Sequence, residues 1–368
     1  MMYIFLIISL VCALFLTYIS KEKHIKIHIG KYAHIFLYED IVFTVLIIFL
    51  FLMWILKATT VGNDTYMYEY MYSASTGYLE NGLVWQLNNQ PLYYWTFAML
   101  EKSGMSFRTA QSLFYLFACA GVFFIYKKYS TNKVLPLFFF VTCESMALYS
   151  SALRQMIAIT FGIFAMHFIL ERKIGKALLF ILFAILFHKT AGVLLILIIL
   201  YFYVPSKKEI IVFTPLIWSV ALILPTSIIT KAAFVFGYEE YLSNIGNSSD
   251  AMLLAMYLCM GIFVLYMMYT TKWDSLELRY FTTLFVVSIA IILFSSKFYL
   301  LSRFQYYFQA AQYLVFAEAV HKLAKKKSVL LFFTIILLYI VFFMFSLNSD
   351  TLGITPYKFF WNAGEKWL

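Results

Sequence analysis

Five ionisable side chains in this 368-residue chain interrupt or border hydrophobic sequence, and each could do chemistry. Arg154 and Gln155 open the apolar run LRQMIAITFGIFAMHFIL. His188 and Lys189 close the run ALLFILFAILFHK that follows it. The basic turn Glu171-Arg172-Lys173-Ile174-Gly175-Lys176 joins the two runs, so they read as a helical hairpin whose start and end meet at one membrane surface. Asp64 stands in Gly62-Asn63-Asp64-Thr65. Arg303 opens a later run in Leu301-Ser302-Arg303-Phe304-Gln305-Tyr306-Tyr307. Glu144 lies inside FFFVTCESMAL, where an unpaired carboxylate is costly. Arg154, across the 150–151 turn, is its expected partner.

Two arginines and a histidine at one surface suit an anionic substrate group. The guanidinium fork grips phosphate at two points and stays charged when buried. Histidine can take a proton from an attacking hydroxyl near neutral pH, and Lys189 beside it favours the neutral ring. Asp64 could orient that histidine, act as the base itself, or bind a sugar hydroxyl. An unpaired Glu144 would be protonated or would recruit a cation. A plainer reading is equally available: Arg154 snorkels, His188 is interfacial, and Asp64 and Arg303 make structural ion pairs.

What must position these residues is a membrane bundle. The chain is 63% hydrophobic, 21% aromatic and 12% charged, a balance no soluble domain of this length carries. Hydrophobic runs near the length of a bilayer-crossing helix recur throughout, and they do not alternate as barrel strands would. The expectation is an all-α polytopic membrane protein of about twelve transmembrane helices, a single domain over 1–368. The runs fall at 2–19, 40–57, 107–126, 134–149, 151–170, 176–188, 190–204, 209–225, 251–270, 278–296, 303–320 and 328–346. Alternating sides puts KEKHIKIHIGK, KKYSTNK, ERKIGK, SKKE, TKWDSLELR and HKLAKKK on one face, and this Lys/Arg-rich set reads as cytoplasmic. Opposite lie the loops 58–106 and 226–250 and the C-terminal tail 347–368. Residues 91–103 suit a short interfacial or re-entrant helix opened by Pro91.

Other classes fit poorly. The net charge of +10 sits in short clusters between apolar runs, not on a soluble basic face, so nucleic acid is not the expected partner. Membrane lipids are. Cys12, Cys119, Cys143 and Cys259 fall within apolar runs without paired spacing, which argues against a disulfide framework or a zinc site. There is no P-loop, GxGxxG, HExxH or DxD, so neither a cofactor nor a metal is expected. The first run lacks a basic flank and a small-residue cleavage pattern, so it reads as a retained helix.

The ordered series VGNDTYMYEYMYS, QPLYYW, SSALRQMIAITFGIFAMHFILERK, LLFILFAILFHKTAGVLL, LLSRFQYYF and TPYKFFWN resembles the EpsG-like branch of the Wzy-type polysaccharide polymerases. One departure is visible: Gln90 stands where that family often has Glu before Pro-Leu-Tyr. The resemblance implies the membrane fold shared by Wzy polymerases and O-antigen ligases. It also implies a bacterial inner-membrane glycosyltransferase whose site faces the periplasm or cell exterior. The implied reaction transfers a growing glycan from undecaprenyl pyrophosphate to the terminal sugar of a lipid-linked repeat unit, making O-antigen, capsule or exopolysaccharide. Carried over by motif, Arg154 and Arg303 would hold the pyrophosphate, and His188 or Asp64 would activate the acceptor hydroxyl. Gln155, Glu144, Gln90, Tyr93 and Tyr307 would complete the substrate contacts. A chain-length regulator and a flippase are candidate partners. An O-antigen ligase would use the same chemistry on another acceptor. A lipid-linked oligosaccharide flippase or transporter would show related halves and polar groups near mid-membrane, which this sequence does not display.

Overall fold

The computed structural model describes residues 2–19, 24–29, 32–82, 90–225, 227, 231, 251–297, 301–325, 328–350 and 352–364. The expected loop 226–250 therefore falls almost wholly outside the described residues. Helix α1 (Met2–Ile19) leads into an antiparallel hairpin of β1 (His24–Ile29) and β2 (Tyr32–Leu37), in which His24 faces Leu37 and Ile29 faces Tyr32. Residues 20–39 read as a plain basic loop, yet HIKIHI alternates with the period of a strand. Next come α2 (Tyr38–Leu56) and three helices off the main bundle, α3 (Thr65–Ser73), α4 (Ser75–Glu80) and α5 (Pro91–Lys102). The core then runs through α6 (Phe107–Tyr129), α7 (Val134–Thr142), α8 (Ser145–Ser151), α9 (Leu153–Leu170) and α10 (Ile174–Phe187). A 3₁₀ segment, Lys189–Leu195, continues into α11 (Ile196–Phe202), followed by α12 (Lys207–Ile223), α13 (Ala251–Thr270) and α14 (Leu276–Ser295). Last are α15 (Ser302–Gln305), the 3₁₀ turn Tyr306–Phe308, α16 (Gln309–Lys325) and α17 (Val329–Ser349).

Nearly every expected apolar run is helical, but the count of about twelve crossings does not stand. Among the described residues six helices are long and apolar enough to span a bilayer, or up to seven if α7 and α8 form one bent span. The physical reason is length. The fourteen residues of α10 rise only about 21 Å, short of a hydrocarbon core of about 30 Å. Residues 189–202 are divided between a 3₁₀ segment and a short helix, α12 carries Pro215 internally, and α16 is polar along one side.

Helix α9 is the hub. Its apolar window is 72% buried against 22% for α17, so α9 lies inside the bundle and α17 on its rim. Small residues permit this. A β-carbon on Gly121 of α6 would meet Thr160 Cγ2 of α9 at 2.8 Å, and one on Gly162 would meet Leu194 Cδ1 at 3.0 Å. Close backbone approach of this kind is what holds helices together where lipid offers no hydrophobic drive.

The two ends of the bundle differ chemically. At one end, Glu171 accepts from Lys128 at 2.8 Å and Lys173 at 2.5 Å, and His167 Nε2 lies 3.1 Å from it. Hydrogen bonds from the two lysines hold the Glu171 carboxyl down to about 2. Lys133 pairs with Asp40 at 2.5 Å at the same end. The opposite end carries Lys57, Asp64, Arg154, His188 and Arg303, and is called here the Arg154 end.

The break between α7 and α8 bends the chain by 63°. Glu144 sits at the break with φ +63°, a left-handed backbone that non-glycine residues rarely adopt and that often marks a functional segment. Breaking a helix frees carbonyls, and here Tyr313 donates its hydroxyl to Cys143 O at 2.6 Å.

Candidate active site

The first turn of α5 reaches two of the sequence-derived residues at once. Pro91 opens this helix at a position where the missing N–H costs nothing. Gln90 precedes it, buried, and its Oε1 lies 3.1 Å from His188 Nδ1. With the carboxamide oxygen accepting there, the imidazole proton is assigned to Nδ1 and Nε2 keeps its lone pair. Three positions after Gln90, on the same turn, the Tyr93 ring lies 5.5 Å from Arg154 Cζ. The Tyr68 ring of α3 lies 5.7 Å from the same atom. Arg154 is thus held against two aromatic rings, an arrangement that fixes a guanidinium without neutralising it.

Among the described residues, three polar atoms at this place are buried without a hydrogen-bond partner: Arg154 Nε, Tyr93 Oη and His188 Nε2. Buried polar atoms are ordinarily satisfied, because each unsatisfied one costs roughly 1–3 kcal/mol. A site that leaves a cation's donor, a phenol and an imidazole lone pair open together is prepared for a polar ligand. The recessed end of α10 contributes to this. At the end of the helix His188 is extended (φ −155°, ψ 115°) and half-buried, with Gln90 at the start of α5 against its ring.

Arg303 joins from the other side. Gln155 Nε2 donates to Arg303 O at 2.8 Å, which couples the start of α9 to α15. Thr190 and Tyr307 hydroxyls meet at 2.8 Å, which couples the segment after His188 to the 3₁₀ turn after α15. The Arg303 side chain is exposed and has no ion pair among the described residues. Arg154, Arg303 and Lys189 all lie within electrostatic reach of the His188 ring.

Asp64 occupies the rim. Gly62 at φ +95° makes the turn, and a β-carbon there would stand 2.5 Å from Ser150 O, so only glycine fits. Asp64 N–H donates to Ser151 Oγ at 3.4 Å, and buried Lys57 braces the turn by donating to Val61 O at 2.5 Å and Thr65 Oγ1 at 2.8 Å. The Asp64 carboxylate is exposed, and its charge acts on Tyr68 and Tyr93, the two rings that flank Arg154.

Two expectations need correction. Of the three roles open to Asp64, orienting His188 falls to Gln90 instead, which makes that hydrogen bond. Glu144 does not pair with Arg154, which Tyr68 and Tyr93 occupy instead. Helix α8 separates the two residues, and Glu144 faces the bundle interior, where its charge acts on Tyr257 of α13. Around it Ser145 donates to Gln309, and Ser145 and Tyr313 hydroxyls meet at 3.0 Å. Gln305, Gln309 and Gln312 are spaced to share one helical face, and among the described residues the first two each leave one amide atom unpartnered and Gln312 leaves both.

Tyr68 went unnoticed in the sequence. Its signal was there: Asp64 and Tyr68 are one helical turn apart, so the turn that presents one presents the other. Among the described residues no three His, Cys, Asp or Glu side chains gather where a metal ion could sit.

No curated protein and no solved structure matches this chain. A family model does, and its match takes in every residue of the site just described. Residues 40–359 match the model of the EpsG family, and the chain belongs to that family.

Proposed function

We propose that this protein is a polysaccharide polymerase that moves a growing glycan from undecaprenyl pyrophosphate to the terminal sugar of a lipid-linked repeat unit. The observation that carries this reading is the grouping of Arg154 Nε, Tyr93 Oη and His188 Nε2, all buried and unpartnered, beside Arg303. Membership of the EpsG family supports it. In the proposed step His188 Nε2 takes the proton of the acceptor hydroxyl. The acceptor oxygen bonds to the donor's anomeric carbon as the bond from that carbon to the pyrophosphate oxygen breaks. The departing pyrophosphate gathers negative charge, and fixed cations aimed at developing charge are the largest electrostatic aid an enzyme can supply. Arg154 and Arg303 supply them. Asp64, at the rim, binds the acceptor sugar.

The Arg154 end faces outward in this proposal, since the lysine-rich loops gather at the other end and such loops stay in the cytoplasm of the bacterial inner membrane. A cysteine at exposed Ser103 should react with a membrane-impermeant maleimide on intact cells, and one at exposed Thr131 should not. Labelling with the reverse pattern would invert the topology. The reaction itself is tested by glycan analysis of a deletion strain. Loss of the protein should leave single repeat units in place of long chains. Long glycan accumulating on its lipid carrier would instead indicate a ligase, and unchanged glycan would remove the reading.

A further inference from the structure

Asp350 and residues 352–363 form a strap at the Arg154 end, and this strap is hydrogen-bonded to the turn that carries Asp64. Gly62 N–H donates to Gly353 O at 2.7 Å, Asn63 N–H to Leu352 O at 3.1 Å, and Ala58 N–H to Lys358 O at 2.9 Å. Lys57 and Phe359 add an antiparallel bridge. The strap thus runs beside the whole connection from the end of α2 to Asp64.

Its own shape is over-determined. Asp350 Oδ1 accepts from the N–H groups of Ile354 at 2.7 Å and Thr355 at 3.1 Å. Tyr357 donates to Met53 O at 2.9 Å, and Tyr3 donates to Ile354 O at 2.8 Å. Arg108 stands 4.4 Å over the Phe360 ring while donating to Lys57 O at 3.0 Å. Strap, α1, α2 and α6 are therefore tied into one unit. The tightest point is Gly353, at φ +65°, where a β-carbon would fall 1.9 Å from Asn63 Oδ1. By contrast, the Asp64 side chain does not cap α3, so the carboxylate takes its position from the backbone before it.

We propose that the strap is the positioning element for Asp64, with Leu352 and Gly353 as its positioning residues. It fixes the Gly62-Asn63 backbone and so sets where the carboxylate stands relative to Tyr68, Tyr93 and Arg154. The inference rests on the reading of Asp64 as an acceptor-binding group.

The test compares Gly353→Ala, Asp64→Asn, Tyr357→Phe and the pair Asn63→Ala/Gly353→Ala, in the full chain, with lipid-linked repeat units as substrate. Gly353→Ala should lower kcat about tenfold or more, with KM for the donor and the amount of inserted protein unchanged. The pair should recover part of that loss, because the new β-carbon no longer meets Oδ1; a merely structural glycine would instead lower the amount of inserted protein and leave kcat per inserted molecule unchanged. Tyr357→Phe, which removes one hydroxyl, should lower kcat about threefold at unchanged donor KM. Should Gly353→Ala fail to insert, Tyr357→Phe decides: unchanged kcat overturns the inference. Activity retained in Asp64→Asn would remove the underlying reading of Asp64. Loss in Asp64→Asn together with full activity in Gly353→Ala would overturn the strap alone.

Discussion

Replacing His188 with alanine is expected to lower kcat by about 10²–10⁴-fold, the range a positioned general base contributes. The structure explains why the effect should fall on kcat. The ring is fixed through Nδ1 by Gln90, its Nε2 is buried without a partner among the described residues, and Arg154 and Arg303 lie within electrostatic reach of it. The imidazole therefore acts on the acceptor proton, and the donor's pyrophosphate is held by other groups. Donor binding should persist in His188→Ala. Gln90→Leu offers a graded companion: the ring stays but loses the partner that fixes its tautomer, so a loss of about tenfold is expected. Turnover kinetics with donor and acceptor varied separately would show it. A His188→Ala protein with near-parental kcat would remove the histidine from the proposed step.

Arg154→Lys is expected to cost about 10²-fold or more in kcat/KM, on the scale of losing one preorganised charge-stabilising donor. Charge is conserved in this change but geometry is not. The guanidinium lies against Tyr68 and Tyr93 with Nε still open, so its plane is set before substrate arrives. An ammonium has no plane to stack and offers no two-point fork. Exposed Arg303 is less constrained, and Arg303→Lys should cost less than Arg154→Lys. Equal activity of Arg154→Lys and the parent would show that charge alone suffices, or that Arg154 only packs the bundle.

The sequence carried most of the fold because helix position follows from unbroken apolar runs, and these coincide with α1, α2, α6 and α9 through α17 at most points. Span count was not legible in the same way. Hydropathy measures composition, whereas crossing depends on unbroken length, and neither the stop after Phe187 nor the break at Glu144 carries a glycine or proline to announce it. The β-hairpin was hidden because its basic residues already suggested a loop. For the site, the placement of charges relative to apolar runs was enough to put Arg154, His188, Arg303 and Asp64 at one end. Partner choice was not, because it depends on helix geometry. Glu144 and Arg154 are ten positions apart yet face different neighbours, since α8 and the Ala152 turn reorient the chain between them. Gln90 is nearly a hundred positions from His188 and touches it, because α5 folds back over the end of α10.

The most direct measurement of the central claim is an assay of the purified protein with a single lipid-linked repeat unit and no other enzyme. The account predicts a ladder of lipid-linked glycans lengthened by whole repeat units, with one undecaprenyl pyrophosphate released per unit added, and both products formed about 10²-fold or more slowly with Arg154→Lys or His188→Ala. Release of lipid pyrophosphate without any lengthened glycan, or movement of the intact repeat unit across a vesicle membrane with no bond formed, would contradict it.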